Sequence, residues 1–437
     1  MRLFTLFLAG TLGCVTQLGY AQQTTVDIDS DVQAQFQMVS NHPLVKSALS
    51  QIQAQDAAYL EEHIRLTEIP APPFKEDVRA AYFLQQLKDR GLKDAYIDSA
   101  GNAIGIRKGS GGGPTFLISA HLDTVFPEGV DTTVELRDGR YYAPGIGDDT
   151  RGLAALLSLL DALNASGIET VGDVIFAGNV GEEGRGDLRG IKAIFRDHPE
   201  IDGYVSIDGV RMRRITNGGT GSRRFEFHFK GPGGHSFGAF GLASAIHAMG
   251  RAIAKIGDVE TPASPKTTFT VGTVMGGTSV NSIAADAVFA LDMRSNDKDE
   301  LAKLEKVIKA AALEAVAEEN ARWNNGEIKV EFKLIGDRPV GKTPVSSALV
   351  QAAAMAFDVV GVELQGLGIG STDSNVPMSL GIPAVTIAGG GDGGGAHSPQ
   401  EWYAPSNSYV GPQAALLVTL SMAGIAGVSE PLLKDLD

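Results

Sequence analysis

Two adjacent carboxylates, Glu182 and Glu183, follow an apolar segment that ends at Val180-Gly181. Successive side chains of an extended segment point to opposite sides. One carboxylate can therefore bind a metal ion while its neighbour acts on a water molecule, although an isolated acidic pair more often faces solvent. Four further polar clusters accompany this pair, and they contain His121 and Asp123, Asp148 and Asp149, Asp208, and His397. The combination indicates a metal-dependent hydrolytic site.

His121 and Asp123 are two residues apart after a buried apolar segment, so both side chains face the same side of the chain. This spacing suits His121 as a metal ligand whose other ring nitrogen is held by Asp123. The alternative is a loop histidine beside a helix-capping aspartate.

Asp148 and Asp149 follow Gly145-Ile146-Gly147 and precede a predicted helix that begins near Gly152. A carboxylate at this place often caps the helix N-terminus. Alternatively, one of the two carboxylates bridges a pair of cations about 3.5–4 Å apart, as in hydrolytic two-metal sites.

Strands and helices alternate along most of the chain, which predicts an α/β fold with a mixed, largely parallel sheet and helices on both faces. The polar clusters come directly after strands, where open α/β sheets place their sites. Residues 218–336 instead follow the order strand-helix-strand-strand-helix-strand, which predicts a smaller ferredoxin-like α+β domain. We therefore expect a catalytic domain made of residues 22–217 and 337–437 that is interrupted by this insert.

The chain has 437 residues and a formal net charge of -15. Its length predicts two or three domain-sized units. Its negative charge argues against nucleic acid or an anionic membrane as the main partner. No segment reaches the roughly 20 apolar residues of a transmembrane helix.

Residues 1–21 have the features of an export signal: a basic Arg2, an apolar run from Leu3 to Leu12, and small residues before position 22. We expect a periplasmic or extracellular protein. Cys14, the only cysteine, lies in this segment, so the mature chain has no thiolate ligands. Lipid anchoring through Cys14 is a weaker alternative, because Thr11 fits a lipoprotein site poorly.

The motifs resemble those of the di-zinc metallopeptidase family that includes glutamate carboxypeptidase, tripeptidase T, acetylornithine deacetylase and succinyl-diaminopimelate desuccinylase. The resemblance runs from about Ile64 to the C-terminus and preserves the order of five motifs. It implies two Zn²⁺ ions, for which Mn²⁺ or Co²⁺ can substitute at nitrogen and oxygen ligands. It also implies these roles: His121 and Asp208 on one zinc, Glu183 and His397 on the other, Asp148 bridging, Glu182 as general base and acid, and Asp123 orienting His121.

The same resemblance extends to the insert. Its loop Gly231–Ser236 is similar to the family's loop whose histidine, here His235, reaches across a dimer interface into the partner's site. Asn281 would stabilise an oxyanion together with His235, and Arg294 would hold a substrate carboxylate through a bidentate contact. Without the resemblance these residues would be interpreted as a turn histidine, a strand-end asparagine and a solvated arginine. The resemblance thus implies a homodimer formed through the insert.

We expect a secreted zinc-dependent exopeptidase that hydrolyses the amide bonds of short peptides. An N-acyl amino-acid deacylase of the same family is the first alternative. A non-catalytic metal-dependent binding protein is the second, and Glu182 argues against it because such a protein has no need of a general base.

Overall fold

The structure is a computed structural model that describes residues 25–324 and 327–434. The predicted export signal at residues 1–21 and Cys14 lie outside the described residues. The first part of the chain contains the following elements: α1 (Ser30–Asn41), α2 (Pro43–Ala54), α3 (Asp56–Glu68), α4 (Asp77–Asp89), β1 (Tyr96–Ile97), β2 (Ala103–Arg107), β3 (Thr115–His121), β4 (Glu135–Arg137), β5 (Arg140–Tyr142), α5 (Thr150–Ser166), β6 (Asp173–Asn179), a 3₁₀ turn (Gly184–Gly186), α6 (Arg189–Asp197), β7 (Ile201–Ile207) and β8 (Ile215–Gly219).

The middle part forms a separate antiparallel sheet covered by two helices. Its elements are β9 (Gly221–Lys230), β10 (Gly234–His235), α7 (Ala245–Gly257), β11 (Thr267–Gly276), β12 (Ser282–Ile283), β13 (Asp286–Ser295), α8 (Lys298–Trp323) and β14 (Lys329–Arg338). The sheet order is β11-β13-β9-β14. Phe225, Phe227 and Phe229 alternate with polar residues along β9, and they share one core with α7 and α8. This is the predicted ferredoxin-like arrangement, while the domain boundaries at 218 and 336 stay predictions.

The last part returns to the first sheet. Its elements are β15 (Gly341–Lys342), α9 (Ala348–Val359), β16 (Leu367–Gly370), α10 (Asn375–Ser379), β17 (Ala384–Ile387), β18 (Asp392–Gly394), β19 (Trp402–Ala404) and α11 (Val410–Ala423). Strands β18, β19, β5 and β4 form a small additional sheet. Among the described helices, none combines the length and the apolar character needed to cross a membrane.

The central sheet has the order β1-β2-β6-β3-β7-β17-β8-β15, with β16 beside β8. Strands β6, β3, β7 and β17 run parallel, and antiparallel pairs flank them on both sides. Helices α5, α9 and α11 contribute to the core on one face, whereas α6 and α10 contribute to the core on the other. The predicted mixed, largely parallel sheet with helices on both faces is confirmed.

The parallel strands bring the predicted site residues to one edge of the sheet. His121 ends β3, Glu182 follows β6 by three residues, and Asp208 directly follows β7. Because parallel strands all end at the same edge, side chains far apart in sequence meet there.

Candidate metal and catalytic site

His121, Asp148 and Glu183 form a group that can hold a metal ion. Each offers one ligand atom, and these atoms lie within 4.8 Å of one another. His121 and Glu183 are buried, while Asp148 is partly exposed in the loop before α5. Imidazole nitrogen and carboxylate oxygen are zinc's usual ligands where sulfur is absent.

Asp148 lies between two histidines. Its Oδ1 is 2.9 Å from Nε2 of His121, and its Oδ2 is 3.1 Å from Nε2 of His397. The same His397 nitrogen lies 3.0 Å from Oε1 of Glu183. Each oxygen of Asp148 thus faces a different histidine, which is the arrangement that a carboxylate needs to bridge two cations.

Asp208 lies at the end of β7, where its main-chain N–H donates to the carbonyl of Ile387 at 2.9 Å. Burial and, to a smaller extent, the negative charge of Asp148 together raise the pKa of the Asp208 carboxyl to about 7. Carboxylates crowded in this way repel one another, so a divalent cation bound among them would be strongly stabilised.

The two histidines counterbalance the carboxylates. Burial alone would lower the pKa of His121, but the surrounding carboxylates of Asp123, Asp148 and Asp149 raise it well above its usual range. Hydrogen bonds with Asp148 and Glu183 raise the pKa of His397 to about 10. Positive charge is therefore favoured among these carboxylates. A divalent cation bound by neutral histidines would supply that charge equally well.

Asp123 differs from the prediction in how it acts. Nδ1 of His121 lies 2.9 Å from the main-chain carbonyl oxygen of Asp123. The side-chain carboxylate of Asp123 lies farther away, at 3.7 Å from the same nitrogen. The carboxylate instead accepts the main-chain N–H groups of Glu182 at 3.0 Å and Glu183 at 2.8 Å. Asp123 therefore orients His121 through its backbone and positions both glutamates through its side chain.

Glu182 lies beside the metal-capable group without belonging to it. Its Oε1 is 3.1 Å from Nη1 of Arg338, and the same guanidinium donates to the Glu182 carbonyl. Burial raises the pKa of the Glu182 carboxyl well above its usual range, although Arg338 opposes this. A buried carboxyl with a raised pKa is suited to accept and return a proton near neutral pH.

Asp149 and Glu401 support the loop that carries Asp148. The carboxylate of Asp149 accepts the main-chain N–H of His121 at 3.2 Å and that of Gly152 at 3.1 Å, so it caps α5. Glu401 accepts the N–H groups of Gly145, Gly147 and Asp148 at 2.9, 2.7 and 2.9 Å. Neither Glu401 nor Arg338 was predicted from the sequence, since neither stands in a motif.

His235, Asn281 and Arg294 lie elsewhere on the insert. Nδ1 of His235 accepts the N–H groups of Phe237 and Gly238, both at 3.2 Å, and the side chain is exposed. Asn281 is also exposed and lies next to His235, because its carbonyl accepts the N–H of Ser236 at 3.0 Å. In the part of the chain that the structure describes, no hydrogen bond or ion pair joins these three residues to the metal-capable group.

Known proteins resemble this chain in sequence and in fold. The family model described as peptidase family M20/M25/M40 matches residues 117–420. The uncharacterized protein YqjE of Bacillus subtilis is 28% identical over 353 residues, which is 76% of this chain and 90% of that protein. The crystal structure of aminopeptidase PepT from Bacillus cereus superposes with a TM-score of 0.67 at 21% identity, covering 83% of this chain and 97% of that one. The YXEP protein of Bacillus subtilis, described as a dinuclear metal-binding peptidase, superposes with a TM-score of 0.61 at 18% identity, covering 85% of this chain and 100% of that one.

Proposed function

The chain belongs to peptidase family M20/M25/M40 and is a hydrolase, and on this basis we propose that it is an exported zinc-dependent exopeptidase acting on short peptides. The observation that carries the proposal is the position of Asp148, whose two oxygens face His121 and His397. A carboxylate shared in this way, with the non-ligating Glu182 beside it, matches the needs of amide hydrolysis by a two-metal site.

The residues that would hold the metals are those at the edge of the sheet: His121 and Asp208 for one zinc, Glu183 and His397 for the other, and Asp148 for both. Bound zinc would supply Lewis acidity and would lower the pKa of a coordinated water. The donor set consists of histidine nitrogens and carboxylate oxygens, which suits zinc and also Mn²⁺ or Co²⁺.

Glu182 moves the proton in the proposed reaction. It accepts a proton from the attacking water and returns it to the leaving amine, the double role of a general base and acid. Arg338 fixes the direction of its carboxylate at 3.1 Å. Asp123 holds the main-chain N–H groups of both glutamates, so that one side chain binds metal and the other handles the proton.

His235 and Asn281 complete the site of a partner subunit in the proposed homodimer. Both are exposed in a single chain, which is what a contribution in trans requires. Strand β11 lies at an edge of the insert's sheet, and Val274, Met275 and Val280 near it are exposed. An edge strand with exposed apolar side chains is a surface suited to pairing with a second copy.

Export is proposed from the composition of residues 1–21 alone, and a lipid anchor at Cys14 is the less favoured form of it. Localisation of the full chain in a cell fractionation experiment tests this part, and retention in the cytoplasm with an uncleaved N-terminus would refute it.

The enzymatic proposal is tested by assaying zinc-loaded protein against dipeptides, tripeptides and N-acyl amino acids. We expect peptide hydrolysis that a chelator abolishes and that added zinc restores. Turnover confined to N-acyl amino acids would identify a deacylase instead. A metal-loaded protein that hydrolyses none of these amides would overturn the proposal.

A further inference from the structure

A cavity of about 320 Å³ adjoins the proposed metal site, and Asp208 is one of its lining residues. Three arginines line it as well: Arg211, Arg213 and Arg214. We propose that this cavity binds a carboxylate of the substrate and so makes the enzyme selective for acidic substrates. The inference rests on the proposed function, since it assigns a substrate class to the same site.

The loop that carries the arginines joins β7 to β8 and is held in place by main-chain contacts. The N–H of Gly389 donates to the carbonyl of Gly209 at 2.8 Å, and that of Gly390 donates to Val210 at 3.0 Å. The N–H of Gln365, another lining residue, donates to the carbonyl of Arg213 at 2.8 Å. The arginines therefore project from an anchored backbone at the carboxyl end of β7.

Two of the three arginines form no ion pair in the described part of the chain, although the charge of Arg213 also acts on the carboxylate of Asp392. Arg211 pairs with Asp392 and lies over the ring of Trp402. For Arg213 and Arg214, no side-chain hydrogen bond or ion pair is found within residues 25–324 and 327–434, and both side chains are exposed. Among the described residues that line the cavity, Asp208 is the only acidic one, and the proposed metal site already uses it.

This local positive charge contrasts with the rest of the protein, whose formal net charge is -15. Cations gathered in a concave site attract an anionic ligand and orient it. Guanidinium groups suit a carboxylate in particular, because their N–H donors match its two oxygens. Since Asp208 borders both sites, a carboxylate in the cavity can belong to the same molecule whose amide bond lies at the metals.

Arg294, to which the family resemblance assigns this task, is already engaged. Its Nε lies 2.8 Å from Oδ2 of Asp292. Arg224 binds the other oxygen of that carboxylate at 2.8 Å. Arg213 and Arg214 are therefore better placed to bind a substrate carboxylate than Arg294 is within one chain.

The carboxylate can be an acidic side chain or the terminal carboxylate of the substrate, and paired substrates distinguish these sources. One pair replaces a glutamate side chain by glutamine, and the other replaces the terminal carboxylate by an amide. The kcat/KM ratio of each pair is measured with zinc-loaded full-length protein and with the Arg213→Gln/Arg214→Gln double variant. Arg196→Gln, which removes an exposed arginine paired with Asp197 on α6, is the control.

We expect the wild-type protein to favour the charged member of one pair. In the double variant, the kcat/KM ratio of the charged to the neutral member should be about tenfold lower. The loss should come mainly from KM, with zinc content unchanged and the control variant unaffected. Arg213→Glu/Arg214→Glu should reverse the preference towards the neutral member.

A double variant that keeps the full wild-type preference overturns the inference. So does a variant that loses zinc while its preference is unchanged, because the arginines would then only balance the charge of the metal-binding carboxylates. If wild-type protein hydrolyses no amide at all, the proposed function fails instead. In that case equilibrium binding of glutamate against glutamine, measured with the same variants, still tests the cavity, and equal affinities would overturn the inference.

Discussion

The guanidinium of Arg338 lies 3.1 Å from the Glu182 carboxylate and also donates to the Glu182 main-chain carbonyl. Arg338 is the last residue of β14, a strand of the inserted sheet, whereas Glu182 follows β6 of the central sheet. Both side chains are buried. The carboxylate of the proposed general base is thus held by the residue that ends β14, a strand of a different sheet.

Arg338→Met should lower kcat, because Glu182 loses the group that orients its carboxylate, and should also destabilise the fold. Breaking a buried ion pair by removing one partner costs about 3–5 kcal/mol. Urea unfolding and steady-state kinetics measure the two effects. Arg338→Lys keeps the charge without the two-pronged contact and should recover stability better than kcat. Wild-type kcat in Arg338→Met would contradict this role.

Glu182→Gln should abolish turnover while leaving zinc bound, because the substitution removes the proton acceptor but no ligand. A loss of roughly 10²–10⁴-fold in kcat is expected for a general base. Zinc content by atomic absorption gives the second measurement. The matched variant Glu183→Gln should lose zinc as well as activity. Near-normal hydrolysis by Glu182→Gln would show that another group moves the proton.

Glu401→Gln should weaken zinc binding although Glu401 is not a proposed ligand. The NH₂ group that replaces one carboxylate oxygen cannot accept a hydrogen bond, so at least one of the three contacts to the loop around Asp148 is lost. Loss of such supporting contacts typically lowers metal affinity by about 10–100-fold. Competition with a fluorescent zinc chelator measures the affinity, and Gln400→Ala, an exposed neighbour, is the control. An unchanged affinity would mean that the loop keeps its shape without Glu401.

Mixing Glu182→Gln with His235→Ala should restore activity if His235 acts in the partner's site. Each variant alone is expected to be nearly inactive. In random dimers, half are mixed and each mixed dimer has one complete site, so about a quarter of wild-type activity should return. Activity is assayed after subunit exchange, and sedimentation velocity reports the oligomeric state. No recovery from confirmed mixed dimers would place His235 outside the partner's site.

Acid should destabilise the fold partly through His63, whose Nε2 lies 2.5 Å from the carbonyl of Ile146. Burial lowers the pKa of His63 from 6.5 to about 3, with Arg151 adding to the effect. The unfolded chain therefore binds this proton at a higher pH than the folded protein. The stability that neutral His63 contributes is fully present above pH 6.5 and is lost as the pH falls towards 3. The loss amounts to about 2 kcal/mol at pH 5.

His63→Gln keeps a donor for Ile146 but does not titrate, so its stability should fall less between pH 7 and pH 5. Urea unfolding of both proteins in chelator gives the difference. An equal fall in stability for His63→Gln and wild type would contradict the assignment.

The sequence determined the fold class and the place of the site. The alternation of apolar segments with helical patterns fixes which segments become strands, and parallel strands must end at one edge of a sheet. His121, Asp148 and Glu183 each follow or border such a segment, so their meeting could be predicted from local pattern together with the family resemblance.

Only the tertiary structure decided which groups support these residues. Glu401 reaches Asp148 across 253 residues, and Arg338 reaches Glu182 across 156. Contacts of this kind leave no periodic signal, because they depend on how distant loops pack and not on local conformation. The carbonyl and the carboxylate of Asp123 lie 2.9 Å and 3.7 Å from His121, and this difference of less than an ångström decides which of them holds the histidine. Packing sets such a difference, and the spacing of residues along the chain does not predict it.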